Sequence, residues 1–151
     1  VTLSVPLDSL PVAYFRPLTG IVESSKQRAG EGQLKIVNDS LEDELITVAR
    51  DKRLLVAAYV RAGETYLVDK IPDGEYIIFI SSGADWDGFK FNRNARSSRF
   101  EDTFPFVTRR EGPNITYDEW TIGQGGEATI EPTDQDAVPP ITQPVTSTEK
   151  P

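Results

Sequence analysis

The stretch EYIIFIS, residues 75–81, sits between Pro72-Asp73-Gly74 and Gly83-Ala84-Asp85, and its apolar side chains follow one another without polar alternation. A run this short between turn-forming residues has the length of a strand, and the missing alternation predicts a central strand covered on both faces. Proline sets φ at the start of the preceding turn, and glycine accepts a positive φ at its end.

The rest of the chain carries the same punctuation. QLKIVN (33–38) alternates, with Leu34 and Ile36 on one face and Gln33 and Lys35 on the other. LITVAR (45–50), LLVAAYVRA (54–62) and TYLVDK (65–70) follow, broken at Asp51-Lys52-Arg53 and Ala62-Gly63-Glu64. TFPFVTR (103–109), ITYDEWTI (115–122) and EATIEP (127–132) complete the set, with VTLSV (1–5) and TGIVES (19–24) as further candidates. Runs of this kind predict an all-β chain, an antiparallel β-sandwich of about seven to nine strands. DSLEDELITVARD (39–51) offers a helix alternative through its capping Asp or Ser, but the β-branched Ile46, Thr47 and Val48 favour a strand. The Gly-rich TIGQGGE (121–127) lacks the Lys-Ser/Thr ending and the following helix of a phosphate loop, and reads as a hairpin turn.

One sandwich domain is expected over 17–131, preceded by an extended segment, 1–16, and followed by a Pro/Thr-rich tail, 132–151. The tail has few large apolar side chains, and alone it predicts disorder. If it is ordered, a neighbour or the domain itself must hold it. VTLSVPLDSLP at the front reads as a strand able to add to another sheet's edge.

Charge narrows the partners. Sixteen Lys and Arg oppose twenty-four Asp and Glu, a net charge of −8. From Glu101 onward ten acids face three bases, so nearly all of the surplus lies in the final third. Nonspecific nucleic-acid binding needs the reverse, cations to meet phosphates. The chain has no histidine and no cysteine, which removes the commonest zinc ligands, the commonest general base and any disulfide framework. No apolar run approaches the ~18–20 residues of a membrane helix, so no membrane insertion is expected. The first residue, Val1, is read as the trace of a removed secretory signal, which places the domain outside the cytoplasm, secreted or at a cell surface.

The segment TYLVDKIPDGEY (65–76) resembles the hairpins of carboxypeptidase-regulatory-like and prealbumin-type sandwiches, in which the Ile buries, Pro-x-Gly turns and an aromatic packs beside the Ile. A longer series looks like a family of secreted or lipid-anchored bacterial β-sandwich domains: GEGQLKIVND, YVRAGETYLVDKIPDGEY, SGADWDGFKFNR, SRFEDTFPF, YDEWTI and GGEATIEP, over roughly residues 17–140. The resemblance implies an Ig-like or prealbumin-like sandwich outside the cytoplasm, and it carries over no catalytic residue. That family often has a cysteine after its FxRN segment; Ala95 stands there in this chain.

Three groups of residues carry candidate chemistry. Asp85 and Asp87, with Asp102, offer oxygen ligands for calcium, although the Asp-x-Asp-x-Asp-Gly spacing of an EF-hand is missing. Trp86 between the two acids offers a face for a glycan, against a plainer reading of an Asx-type turn on each side of a packed ring. FKFNRNARSSRF (89–100) interleaves Lys90, Arg93, Arg96 and Arg99 with phenylalanines, a pattern suited to anionic glycans or an acidic protein surface, or else a solvated loop anchored by its Phe residues. The same bases in one copy facing the acidic third of another would give head-to-tail contacts. Paired carboxylates also evoke glycoside hydrolysis, but that chemistry needs a cleft, and a serine nucleophile would have only lysine as its base. The expectation is a non-enzymatic extracytoplasmic structural or interaction module, a subunit of a cell-surface or extracellular assembly that contacts other protein subunits, its own copies included. A calcium- or glycan-binding sandwich is the alternative.

Overall fold

The computed structural model describes residues 13–123 and 129–146. The strands are β1 (Gly20–Ser24), β2 (Gly32–Val37), β3 (Asp43–Arg50), β4 (Arg53–Val60), β5 (Thr65–Ile71), β6 (Gly74–Trp86), β7 (Phe91–Phe100), β8 (Phe104–Phe106), β9 (Arg109–Glu111), β10 (Asn114–Thr116), β11 (Glu119–Ile122) and β12 (Ile130–Pro132). A single turn of 3-10 helix, Gln135–Ala137, follows them. The β-branched centre of 39–51 lies in β3, not in a helix. Expected runs 103–109 and 115–122 each split in two, and residues 91–100 add a strand that was not expected, so the strands outnumber the sequence reading. VTLSV lies outside the described residues.

Two layers form the sandwich. The large sheet runs β1-β4-β3-β6-β7-β12, with β8 on the lower part of β6, and all its pairings are antiparallel. The small sheet runs β11-β2-β5, with β11 parallel to β2. Between them lies a core that includes Leu34, Ile36 and Val68 from the small sheet and Ile46, Val56 and Ile78 from the large one. Hairpin β3–β4 turns at Asp51 and Lys52, both at positive φ, the geometry that suits the twist of two paired strands.

Two expected hairpins are not hairpins. β5 pairs with β2 and β6 with β3, so Pro72-Asp73-Gly74 carries the chain from one sheet to the other. Ile71 and Tyr76 on either side are both in the inner core, and the Tyr76 hydroxyl donates to the carbonyl of Pro72 at 2.8 Å. The turn residues were legible, but the direction of the exit depends on which layer is waiting. Likewise β11 and β12 belong to different sheets, so TIGQGGE joins the layers; residues 124–128 within it lie outside the described residues.

β6 is covered on both sides, as its continuous apolar run predicts. Its outer face meets the segment expected to be a loose tail. Residues 133–146 cross the large sheet from the β12 edge to the β1 edge and bury Val138 and Ile141. Val138 packs with Ala49 and Phe79, and Ile141 with Leu45, Tyr59, Trp86 and Phe91. This part of the expected tail is a strap held by the domain itself. Its anchors are too few to read from composition, because each finds its partners only on the assembled sheet.

Replacing Ile141 with Ala therefore costs about 2–4 kcal/mol in urea denaturation, as for any buried large-to-small change. A tail residue would leave stability within about 0.5 kcal/mol.

Candidate functional site

Asp85 and Trp86 are the last residues of β6, not part of a loop beyond it, and Asp87 opens the β6–β7 turn. Between Ser82 and Ala84 the β6–β7 register shifts: the extra residue lies on β7, where Asn94 and Ala95 together face Gly83, which sits at φ 148°. A Cβ there would lie 2.8 Å from the Arg93 carbonyl oxygen and 2.9 Å from the Phe91 Cβ, so the close approach requires glycine. Trp86, an even number like Ile78, nonetheless lies in the outer cluster and not the inner core, directly after Asp85 at φ 58°.

There Trp86 is 1% exposed, edge-on to Tyr59 at 5.4 Å and to Phe91 at 5.1 Å between ring centroids. Its indole N–H donates to the Val145 carbonyl at 2.9 Å, and its own carbonyl accepts the Phe15 N–H at 2.8 Å. The ring has no face left for a sugar, which corrects its reading as a glycan platform. Trp86 instead clasps both terminal segments of the domain.

The aspartates are also committed. Asp87 Oδ1 accepts the Phe89 and Lys90 N–H groups at 2.9 and 3.0 Å, and Oδ2 accepts Asn92 Nδ2 at 2.9 Å. Burial alone would raise its pKa, but these bonds to the ionised form hold it below the ordinary aspartate value. Asp85, at φ 58°, pairs with Arg93 Nε at 3.1 Å. Asp102 is exposed beyond the opposite end of β7, whose ten residues span ~30 Å. The structure thus sets Asp102 apart from Asp85 and Asp87, with which it was expected to share a calcium ion, and among the described residues no three Asp or Glu side chains are grouped to hold a metal.

The basic stretch 89–100 is mostly strand β7, not a loop. Phe91 and Phe100 anchor it in the core while Phe89 stays exposed. Arg93 meets Asp85, Arg96 pairs with Glu42, and Arg99 lies 3.7 Å from Glu131 with its guanidinium over the Phe79 ring at 6.0 Å. Lys90 is exposed in the β6–β7 turn. Three of the four bases singled out for partner contact are met by acids of their own chain. The chain has two Asn-x-Ser/Thr sequons, Asn38-Asp39-Ser40 and Asn114-Ile115-Thr116: Asn38 is buried, with Nδ2 donating to the carbonyls of Glu42 and Val60 at 2.9 Å, whereas Asn114 is exposed in β10.

A second polar centre beside this cluster was not anticipated. Asp43 accepts Arg16 Nε at 2.9 Å and Nη2 at 3.1 Å, the Tyr59 hydroxyl at 2.7 Å and the Ala62 N–H at 2.9 Å. The buried Arg61 guanidinium donates to the carbonyls of Arg16 and Pro17. Together they fix the incoming chain to the sheet. Burial acts to raise the Asp43 pKa, but Arg16, Tyr59 and Ala62 outweigh it and hold it low. Tyr59 is pushed far up by burial and by the Asp43 carboxylate. Nearby Glu44 pairs across strands with Val60 and Ser82, and burial, with repulsion from Asp39 and Glu42, pushes it up to about 7. A carboxylate in phase with Ile46 and Val48 was the sequence signal for Glu44. Nothing in the sequence places Arg16 next to Asp43.

An open depression of about 620 Å³ adjoins this centre, lined in part by Tyr14, Leu41, Asp43, Arg61 and Asp85. Its lining acids are paired, Asp43 with Arg16, Asp85 with Arg93 and Glu42 with Arg96. Comparison of the chain with models of protein families, with curated proteins and with solved structures finds no match.

Two measurements check this description. Glu44 ionises less readily folded than unfolded, so its penalty is absent below its ordinary value of 4.5, grows as pH rises and is complete above about 7. Asp43 runs the other way, its contribution being lost as pH falls through the acid range. Thermal melts should peak near roughly pH 5 and fall toward pH 8; Glu44→Gln should flatten that fall, and an unchanged slope would refute the assignment. Asp87→Ala should cost about 1–3 kcal/mol by leaving the turn's N–H groups unmet, whereas Asp102→Ala stays within about 0.5 kcal/mol.

Proposed function

We propose that this protein is a non-enzymatic structural or interaction module that works outside the cytoplasm, as a subunit of a cell-surface or extracellular assembly. One observation carries the reading. Val107, Ile115, Tyr117 and Trp120 are all exposed on the stretch from the end of β8 to β11. Local hydrogen bonds draw that stretch into one corner of the molecule: Asp118 accepts the Val107 N–H at 2.8 Å, and the Trp120 indole donates to the Pro105 carbonyl at 2.8 Å. Large apolar groups gathered at a surface mark a place of contact with another macromolecule.

Charge supports the same reading. The final third carries ten acids against three bases, and that acidic excess favours selective association over nonspecific adhesion. The extracytoplasmic placement draws on the resemblance to secreted and lipid-anchored bacterial domains. No helix among the described residues is long and apolar enough to cross a membrane. The calcium- or glycan-binding alternative draws no support from a buried Trp86 and scattered aspartates.

The test is self-association across a concentration series, by light scattering and by electron microscopy of native material. Assemblies should form, and Ile115→Asp, on an exposed hairpin residue, should weaken them at least tenfold while the melting temperature holds. A monomer at every concentration, unaffected by the substitution, would remove the proposal.

A further inference from the structure

Residues 133–146 meet the large sheet as a bound peptide meets its receptor. They add no strand to it. Three aliphatic side chains, Val138, Ile141 and Val145, reach down, and Pro139, Pro140 and Pro144 stand between or beside them. Ile141 and Val145 enter a groove walled by Tyr59, Trp86 and Phe91. Proline-rich extended segments bind aromatic-lined grooves in this manner, since their stiffness reduces the ordering that binding costs.

Polar groups set the register. The Thr133 N–H donates to the Ser97 carbonyl at 2.9 Å, and Gln135 Oε1 accepts the Ser97 hydroxyl at 2.6 Å. Glu23 Oε1 accepts the N–H groups of Thr142 and Gln143 at 2.6 and 3.2 Å. Val145 is held at both ends of its peptide unit, its N–H donating to the Gly88 carbonyl and its carbonyl accepting the Trp86 indole N–H. The fit is incomplete elsewhere. Thr47, in phase with Leu45 and Ala49 on the same face, buries its hydroxyl without a partner. A space of about 540 Å³ also opens beside Ile77, Phe79, Val138 and Pro139.

We propose that this groove is a peptide-recognition site, and that its occupant in the assembly is the strap of a second copy of the chain. The inference rests on the interaction-module reading and names its partner. A strap delivered from a neighbour makes the same contacts as one delivered in cis. Exchange is therefore opposed only by the higher effective concentration of the tethered segment, and crowding of copies within an assembly reverses that advantage.

The test begins with the intact chain carrying a specific protease site inserted between Asp134 and Gln135, folded and then cut. The released segment should stay with the domain on gel filtration and be displaced, saturably, by a fluorescent peptide of residues 135–146. The unlabelled peptide should compete at least tenfold better than its Ile141→Asp form, and Trp86→Phe should speed release. A cut strap that leaves a domain still melting cooperatively, with no uptake of peptide, would overturn the groove. So would equal competition by the Ile141→Asp peptide.

The uncut chain tests exchange even if the cut domain unfolds. It has no native cysteine, so Thr146→Cys and Lys90→Cys chains take single labels, donor on one and acceptor on the other. Energy transfer between the mixed chains should rise with concentration. Self-association without that transfer would overturn strap exchange and leave the interaction module standing. Absence of both would overturn the two together.

Discussion

The large sheet is apolar on both faces, and a two-layer sandwich covers only one of them. Along β6, Tyr76 and Ile78 face the small sheet, while Phe79 and, after Asp85, Trp86 face the other way. That outer surface needs a cover. The domain supplies it from its own ends, with Phe15 from one side and Val138, Ile141 and Val145 from the other. Trp86 is the point at which both are fastened, through its carbonyl to Phe15 and its indole N–H to Val145. Strict alternation from Ile78 would turn the indole toward the inner core; the backbone just before it departs from regular strand geometry, with Asp85 at φ 58°, and the ring lies on the outer face.

The same economy explains why residues that look like a binding site are structural. Each polar group near the covered face lies where an unmet hydrogen bond is costly. Asp87 closes the β6–β7 turn, Asp43 with Arg16 and Tyr59 ties down the entering chain, and Glu23 holds the strap at the far edge. Asp85, Asp87, Arg93, Arg96 and Arg99, side chains able to grip a cation or an anionic ligand, are already engaged with their own chain. What remains on the surface includes large apolar side chains, Val107, Ile115, Tyr117 and Trp120 among them.

Much of the fold was legible because it rests on local pattern. The alternation of QLKIVN, the continuous run of EYIIFIS and the break at Asp51-Lys52 each report a strand or a turn through side-chain spacing and φ preference. Turn chemistry, though, states where a chain bends and not toward which layer. Hence Pro72-Asp73-Gly74 and the Gly-rich 121–127 both looked like hairpins and both join sheets. The basic stretch 89–100 looked like a loop because its polar residues are many, yet pairing with β6 made it a strand.

By itself, then, the sequence determined the all-β character, the places of most strands and the chemistries closed to a chain without histidine or cysteine. Tertiary structure alone decided three things: the facing of Trp86, the ordering of 133–146 and the pairing of Arg16 with Asp43. Each joins residues far apart along the chain, and none is favoured until the sheet exists to bring them together. Local propensity is a property of neighbouring residues; a strap has value only to the surface it covers.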